Sequence, residues 1–273
     1  MGHNNAVQGG ANMGDYKFDT FFYTEDGFKH HLSEIEDLPD ETLITSYKGK
    51  MRCPECKGPQ LSLVKRGEMA FLRTYPNQSH TLVDGEKCMY ECNTASKKVM
   101  EQYVKELRAE KKIKSILEAT LRRLLKQDAE SGEKVESSKI KLDNPLLIKI
   151  RQSDGVIKRN IIPHYSFKSW GKNIPQDQLL IVYGKVYIEL LENKKENENG
   201  EEIEQTYIHF KDIHTKKVIT SCLKPQNLEV ENGNYYAVIL GKCHQNDSNG
   251  HIYYNININF PLDESILLQK YQL

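Results

Sequence analysis

The chain has 273 residues, 38% hydrophobic and 28% charged, with 38 Lys and Arg balanced by 38 Asp and Glu. That suffices for one large or two small domains with a core, and no run approaches the ~18 apolar residues of a membrane span. Zero net charge excludes a globally basic nucleic-acid binder, so any basic surface must be local. Met1 to Gly14 is rich in Gly and Asn and has no apolar h-region, so it does not read as a signal peptide. Residues 1–15 are expected to be disordered and the chain cytoplasmic, where reduced cysteines serve metals rather than disulfides.

Asp15 to Tyr23 reads as a first strand, Glu25-Asp26-Gly27 as a turn, Phe28 to Leu38 as a short helix and Leu43 to Tyr47 as a strand. His30 and His31 read as exposed polar residues. Cys53-Pro54-Glu55-Cys56 follows, then 31 residues, then Cys88-x3-Cys92. Two short pairs aim four thiolates at one point, the requirement of a tetrahedral structural zinc. Pro54 and Lys57-Gly58 supply turn chemistry, and Lys50, Arg52, Lys57 and Lys87 favour the thiolate form. His80 is a substitute ligand, in place of Cys88 or Cys92. Between the pairs, Leu61 to Val64 and Met69 to Arg73 form a hairpin about Lys65-Arg66-Gly67-Glu68. Residues 16–94 thus read as a zinc-ribbon-like module.

The order of these motifs resembles the N-terminal zinc-binding module of competence CoiA-like proteins: a DG turn, Cys-Pro-x-Cys, a hairpin, Phe71-Leu72-Arg73, a His-containing loop, a second cysteine group and a helix. The resemblance covers roughly residues 20–107. It implies DNA-processing company for the module. That family usually continues into a metal-dependent nuclease domain; here Glu189 and Lys194 are the sole candidates for its site, and no upstream Asp joins them.

Residues 95–127 read as one long connecting helix, capped by Thr94 or Ser96 and striped by Val99, Tyr103, Leu107, Ile113, Ile116, Leu117, Leu121 and Leu124. Between Lys97 and Lys126 ten basic residues face four acidic ones, an excess of six (10 − 4). Lys105, Arg108, Lys112, Arg122 and Arg123 are its candidate phosphate contacts, and a partner helix is the alternative use of the same surface. Residues 128–142 read as a polar linker.

Beyond it the apolar period changes from 3.6 to 2. Leu146 to Arg151 and Val156 to Ile162 form a hairpin, and His164 to Trp170 is a strand or a loop over the core. Strands follow at Leu179–Leu191, Gln205–Lys211, Lys217–Leu223, Asn234–Lys242 and His251–Phe260. The expected fold is α+β: a zinc-ribbon-like module, a long basic helix, and an all-β domain over 143–273 with an OB-like barrel at 179–262. Alternation buries Leu180, Val182, Val186 and Ile188 and turns Tyr183, Lys185, Tyr187 and Glu189 outward. On the next strand Tyr207, His209 and Lys211 face out. Aromatics interleaved with bases suit single-stranded DNA or RNA. Cys222 and Cys243 read as small core hydrophobes. No Gly-x-Ser-x-Gly, P-loop or dinucleotide fingerprint is present. The expectation is therefore a non-catalytic, zinc-containing binder of single-stranded nucleic acid. A protein-assembly subunit is the second reading and a divergent nuclease the third.

Overall fold

Period-2 alternation of β-branched and aromatic residues gives the chain its longest element, strand β12 (Leu179–Glu196). The computed structural model describes residues 18–67, 69–83, 86–129, 144–151, 155–171, 174–196, 202–248, 251–257 and 265–271. The expected disorder of residues 1–15 and nearly all of the 128–142 linker lie outside them.

One edge of β12 pairs along Leu179–Ile188 with β15 (Gly233–Ser248). Its other edge pairs first, in parallel, with β11 (His164–Ser166) and then along Tyr187–Glu196 with β13 (Glu202–Lys211). β14 (Val218–Leu223) extends the sheet beyond β13, and β16 (His251–Asn257) and β17 (Ile266–Lys270) share the far edge of β15. The sheet curls until β14 nears β16. There Thr220 Oγ1 donates to the Tyr254 carbonyl at 2.7 Å and Ser221 Oγ meets Asn255 Oδ1 at 2.9 Å. Among the described residues no backbone ladder joins these strands. The expected OB-like barrel is therefore corrected to a curled half-barrel: its last seam is held by side chains, and two additional strands, β11 and β17, occupy edges of the central pair.

The single long helix is corrected too. α2 (Lys97–Ala109) and α3 (Ile113–Ala129) are separate helices. Ser96 caps the first, accepting from Val99 N at 3.4 Å. Lys111 then takes a left-handed φ of 53°, a helix-ending conformation. The apolar stripe Met100, Val104, Leu107 breaks phase there and resumes at Ile113, Leu117 and Leu121, so two helices bury one stripe each. α2 packs on β12, and α3 on β15 and β17. Of the expected phosphate contacts, Lys105 on α2 and Arg122 on α3 are exposed, Lys112 is exposed in the link between the helices, and Arg108 is half-buried.

The N-terminal part carries β1 (Thr20–Tyr23), β2 (Lys29–His31) and β3 (Met51–Arg52) in one small sheet, ordered β2-β1-β3. The helix expected over 28–38 is this short strand followed by a 3-10 turn at Leu32–Glu34. The strand expected at Leu43–Tyr47 is helical, continuing the short α1 (Asp40–Thr42). β4 (Leu61–Arg66) and β5 (Met69–Thr74) form the hairpin about Gly67, whose φ of 59° suits glycine, and the short β6 (Leu82–Val83) pairs antiparallel with β7 (Glu86–Lys87). β8 (Asn93–Thr94) joins the hairpin of β9 (Leu147–Arg151) and β10 (Ile157–Ile161) as a parallel neighbour of β10.

Two cores result, one on each face of the sheet. Inside the curl, Leu180, Val182, Val186, Ile188, Ile208 and Phe210 pack beneath Phe167. Across the sheet, Leu179, Ile181, Val238 and Leu240 join Phe21, Leu61 and Leu72 from the N-terminal part and the helix stripes. Both cores hold β12 residues, so the strand is buried on both faces over Leu179–Val182. Cys222 and Cys243 lie in the inner core, where burial raises their thiols to about 12 and about 11.

Candidate metal centre and basic cleft

The knuckle between β3 and β4 is a tight turn. Lys57 N–H donates to the Cys53 carbonyl and Cys53 N–H to Pro59, both at 3.0 Å, and Lys57 adopts φ 56°. The turn draws the Cys53 and Cys56 sulfurs together. Cys88 opens a 3-10 turn over Met89–Glu91. His80 comes from the loop after β5, which Thr81 Oγ1 ties to the Cys56 carbonyl at 3.1 Å. Ligand atoms of Cys53, Cys56, His80 and Cys88 all lie within 4.8 Å of one another. Cys53 and Cys88 sulfurs are 3.7 Å apart, and Cys56 Sγ is 3.4 Å from His80 Nδ1. This set can hold a metal ion. The hydrogen bond from Cys88 lowers the Cys53 thiol to about 5 despite burial. That bond, with burial and Glu55, pushes Cys88 upward.

His80, not Cys92, completes the four. The Cys88-to-Cys92 spacing runs across a 3-10 turn, whose three residues per turn align i with i+3 rather than i+4. An α-helix would have put the pair on one face. Cys92 is instead buried, and its N–H closes the turn on the Met89 carbonyl at 2.9 Å.

Glu55, inside the knuckle, links the centre to the rest of the fold. Its carboxylate accepts from Met89 N at 2.6 Å, Cys88 Sγ at 3.0 Å and Arg123 Nη2 at 2.9 Å. Arg123 is thus an ion-pair partner rather than an open phosphate contact.

Beside the knuckle a cleft of about 590 Å³ opens between two β faces. One wall is a single face of the β1–β2 ladder, where Thr20 pairs His31 and Phe22 pairs Lys29. The facing wall is the outward register of the large sheet, with Tyr183 and Lys185 on β12 and Tyr236 opposite Lys185 on β15. Pro54, Glu55 and Lys57 close one end, and the turn Ser166–Lys168 crosses between the walls. Four lysines (29, 57, 168, 185) line it against two glutamates (34, 55), a local excess in a neutral protein. Lys57 Nζ lies 4.2 Å from the Phe22 ring centre and Lys185 Nζ 5.4 Å from that of Tyr236. Phe28 stands on the rim, 49% exposed. His31 belongs to the cleft, not to open surface: burial lowers its pKa, and its Nδ1 is enclosed without a partner.

The rest of the expected nucleic-acid set lies outside the cleft. Tyr187 sits under Lys216 Nζ at 3.7 Å, Tyr207 OH meets Gln205 Oε1 at 3.1 Å, and His209 is partly buried. Lys211 pairs with Glu189 at 2.5 Å, and Lys194 with Glu202 at 3.3 Å. Both residues named for a nuclease site are thus in cross-strand ion pairs. Among the described residues the Cys–His set is the single group of three or more His, Cys, Asp or Glu whose ligand atoms converge closely enough to hold one metal ion. Phe22, Phe28, Lys29, His31, Lys57, Lys168 and Tyr236 are cleft residues that were not among the expected nucleic-acid contacts. Tyr236 alone had a readable signal, the outward register of its strand.

No helix among the described residues is long and apolar enough to cross a membrane. No family model, no curated protein and no solved structure matches the chain.

Proposed function

We propose that the chain is a zinc-stabilised binder of single-stranded nucleic acid and that its binding site is the cleft beside the metal centre. The observation that carries this reading is the pairing of lysines with aromatic rings on both cleft walls. Cations there meet phosphates, and bases stack on rings at about 1–3 kcal/mol each. The rings are recessed between two β faces, so only an unstacked base reaches them, which favours a single strand over a duplex.

Zinc fits the ligand chemistry. Zn–S bonds of about 2.3 Å and Zn–N bonds of about 2.0–2.1 Å in a tetrahedron imply S···S near 3.8 Å and S···N near 3.5 Å. The chain holds these pairs at 3.7 and 3.4 Å. Four protein ligands leave no position for substrate, so zinc here is structural. The choice among DNA uptake, recombination, mobile elements and phage defence rests on the resemblance to competence CoiA-like proteins.

The test is fluorescence anisotropy with single- and double-stranded DNA and RNA at low salt. Single strands should bind, with affinity falling as log salt at a slope near 0.7 per neutralised phosphate. A Lys57→Ala/Lys168→Ala/Lys185→Ala triple variant should lose most of that slope. Absence of binding at low salt overturns the reading. The protein-assembly reading then gains, and its surface is specific: Leu191, Tyr207 and Leu223 form one registered row across β12, β13 and β14, with Leu191 47% and Leu223 43% exposed.

A further inference from the structure

The cleft continues inward. A second, much smaller pocket of about 30 Å³ shares Thr20, Lys29, Pro54, Glu55 and Tyr183 with it. Beyond those residues the pocket is walled by Met89, Tyr90, Thr120, Arg123, Leu146 and His164. One water-sized group needs at least about 10–15 Å³ on this measure, so the inlet takes about two oxygen-sized groups. It has no room for a base.

Charge decides what those groups are. Lys29 and Arg123 are positive and Glu55 is negative. The second negative charge lies just behind the wall: the buried Asp19 carboxylate is 3.5 Å from Tyr183 OH and acts electrostatically on both Tyr183 and His164. Two against two leaves no net attraction for a phosphomonoester, whereas the cleft mouth keeps its lysine excess. The inlet also offers acceptors. His164 is 5% exposed, and its Nδ1 is 2.7 Å from the Ile162 carbonyl. That bond places the proton on Nδ1 and makes Nε2 the basic nitrogen, while burial keeps the ring neutral. Glu55 presents a carboxylate. Acceptors in a charge-balanced, two-oxygen space suit hydroxyl groups, which donate and accept.

Resting on the cleft reading, we infer that the inlet seats the 2′- and 3′-hydroxyls of a terminal ribose, so that the cleft recognises the 3′ end of an RNA strand. The phosphates behind that nucleotide then run past Lys168 and Lys185 at the mouth. The 2′-hydroxyl is also the group by which a protein separates RNA from DNA at a given position.

The test varies the ligand first and the protein second. RNA oligonucleotides of one sequence carry a 3′-terminal diol, a 2′,3′-dideoxy end or a 3′-phosphate, beside the matching DNA, and binding is read by anisotropy. The diol end should bind about tenfold tighter than the dideoxy and phosphate ends, the loss expected when a buried polar site is left unpaired. His164→Gln should bring the diol end down to the affinity of the dideoxy end for the same variant. Equal affinity for diol and dideoxy ends overturns the inference and leaves the cleft reading standing. Binding of none of the oligonucleotides overturns both.

Discussion

The two halves of β12 carry the same alternating pattern and meet different fates. Over Leu179–Val182 both faces are buried: Leu180 and Val182 enter the inner core, Leu179 and Ile181 the outer one. From Tyr187 onward only the inner face is covered, and Leu191 is 47% exposed. Tyr183 and Tyr187 share one register four residues apart. Tyr183 is enclosed within reach of Asp19, and Tyr187 lies outside under a lysine. Alternation therefore determines which side chains share a face, while the covering chain determines whether that face is core, cleft or open surface. The cover here comes from far away in sequence: Ser166 N donates to Asp19 Oδ2 at 2.6 Å across 147 residues.

The largest effect expected is on the cover itself. Two of the four candidate metal ligands, Cys53 and Cys56, lie in the knuckle, and the knuckle lines the cleft and adjoins the outer core at Met51, Leu61 and Met89. Structural zinc sites carry apparent binding free energies of about 10–16 kcal/mol, which become folding free energy. Chelation or Cys53→Ser should remove cooperative melting of the N-terminal part and abolish oligonucleotide binding, leaving the curled sheet's strand signal by circular dichroism. Metal analysis should give one ion per chain. Cys92→Ala should keep that ion and cost only a packing defect. Loss of the ion in Cys92→Ala would restore the two-pair cysteine set and overturn the histidine assignment.

The next effect separates the two tyrosine environments. Phe28→Ala removes a rim ring that is half exposed, so folding should survive, and it should weaken single-strand binding about five- to tenfold, the loss of one modest stack. Tyr207→Ala, on the open half of the sheet, should change affinity less than twofold. The opposite ranking would move the binding surface from the cleft to the outer sheet face.

How much of this was readable follows the same division. Cys53-x2-Cys56 is legible because one turn of backbone makes the geometry, and the strand registers are legible because alternation is local. The break at Lys111 was also written in the chain, as the phase slip between Leu107 and Ile113, although the continuing apolar spacing favoured a single helix. His80 could not be chosen over Cys92 without knowing that Met89–Glu91 coils as a 3-10 turn. Of the cleft, strand alternation marks Tyr183, Lys185 and Tyr236 as outward, but not the opposite wall: Phe22, Lys57 and Lys168 come from three separate segments, and no periodicity relates them to that strand face.

The smallest effect uses neighbours on opposite sides of β2. His31 faces the cleft, and its pKa is lowered by burial. His30 faces away, and burial also acts to lower its pKa, but hydrogen bonds to Glu34 and Asp26, each 2.8 Å, outweigh it and raise the value. The raised histidine contributes stability that is fully present below its unfolded pKa of about 6.5 and disappears as pH rises through the higher folded value. The three side chains are 25%, 38% and 43% exposed, so solvent screening holds the contribution under about 1 kcal/mol. His30→Gln should therefore lower Tm by no more than about 2–4 °C at pH 6 and leave it unchanged at pH 9. The measurement is a pair of melting curves at each pH. Differencing variant against wild type cancels titration of His164 and the metal ligands, which both proteins share, whereas loss of the His30 charge also relieves part of the lowering at His31. A Tm difference that grows toward pH 9 would mean that His30 is held in its neutral form, and the covered-versus-open distinction would fail at this strand.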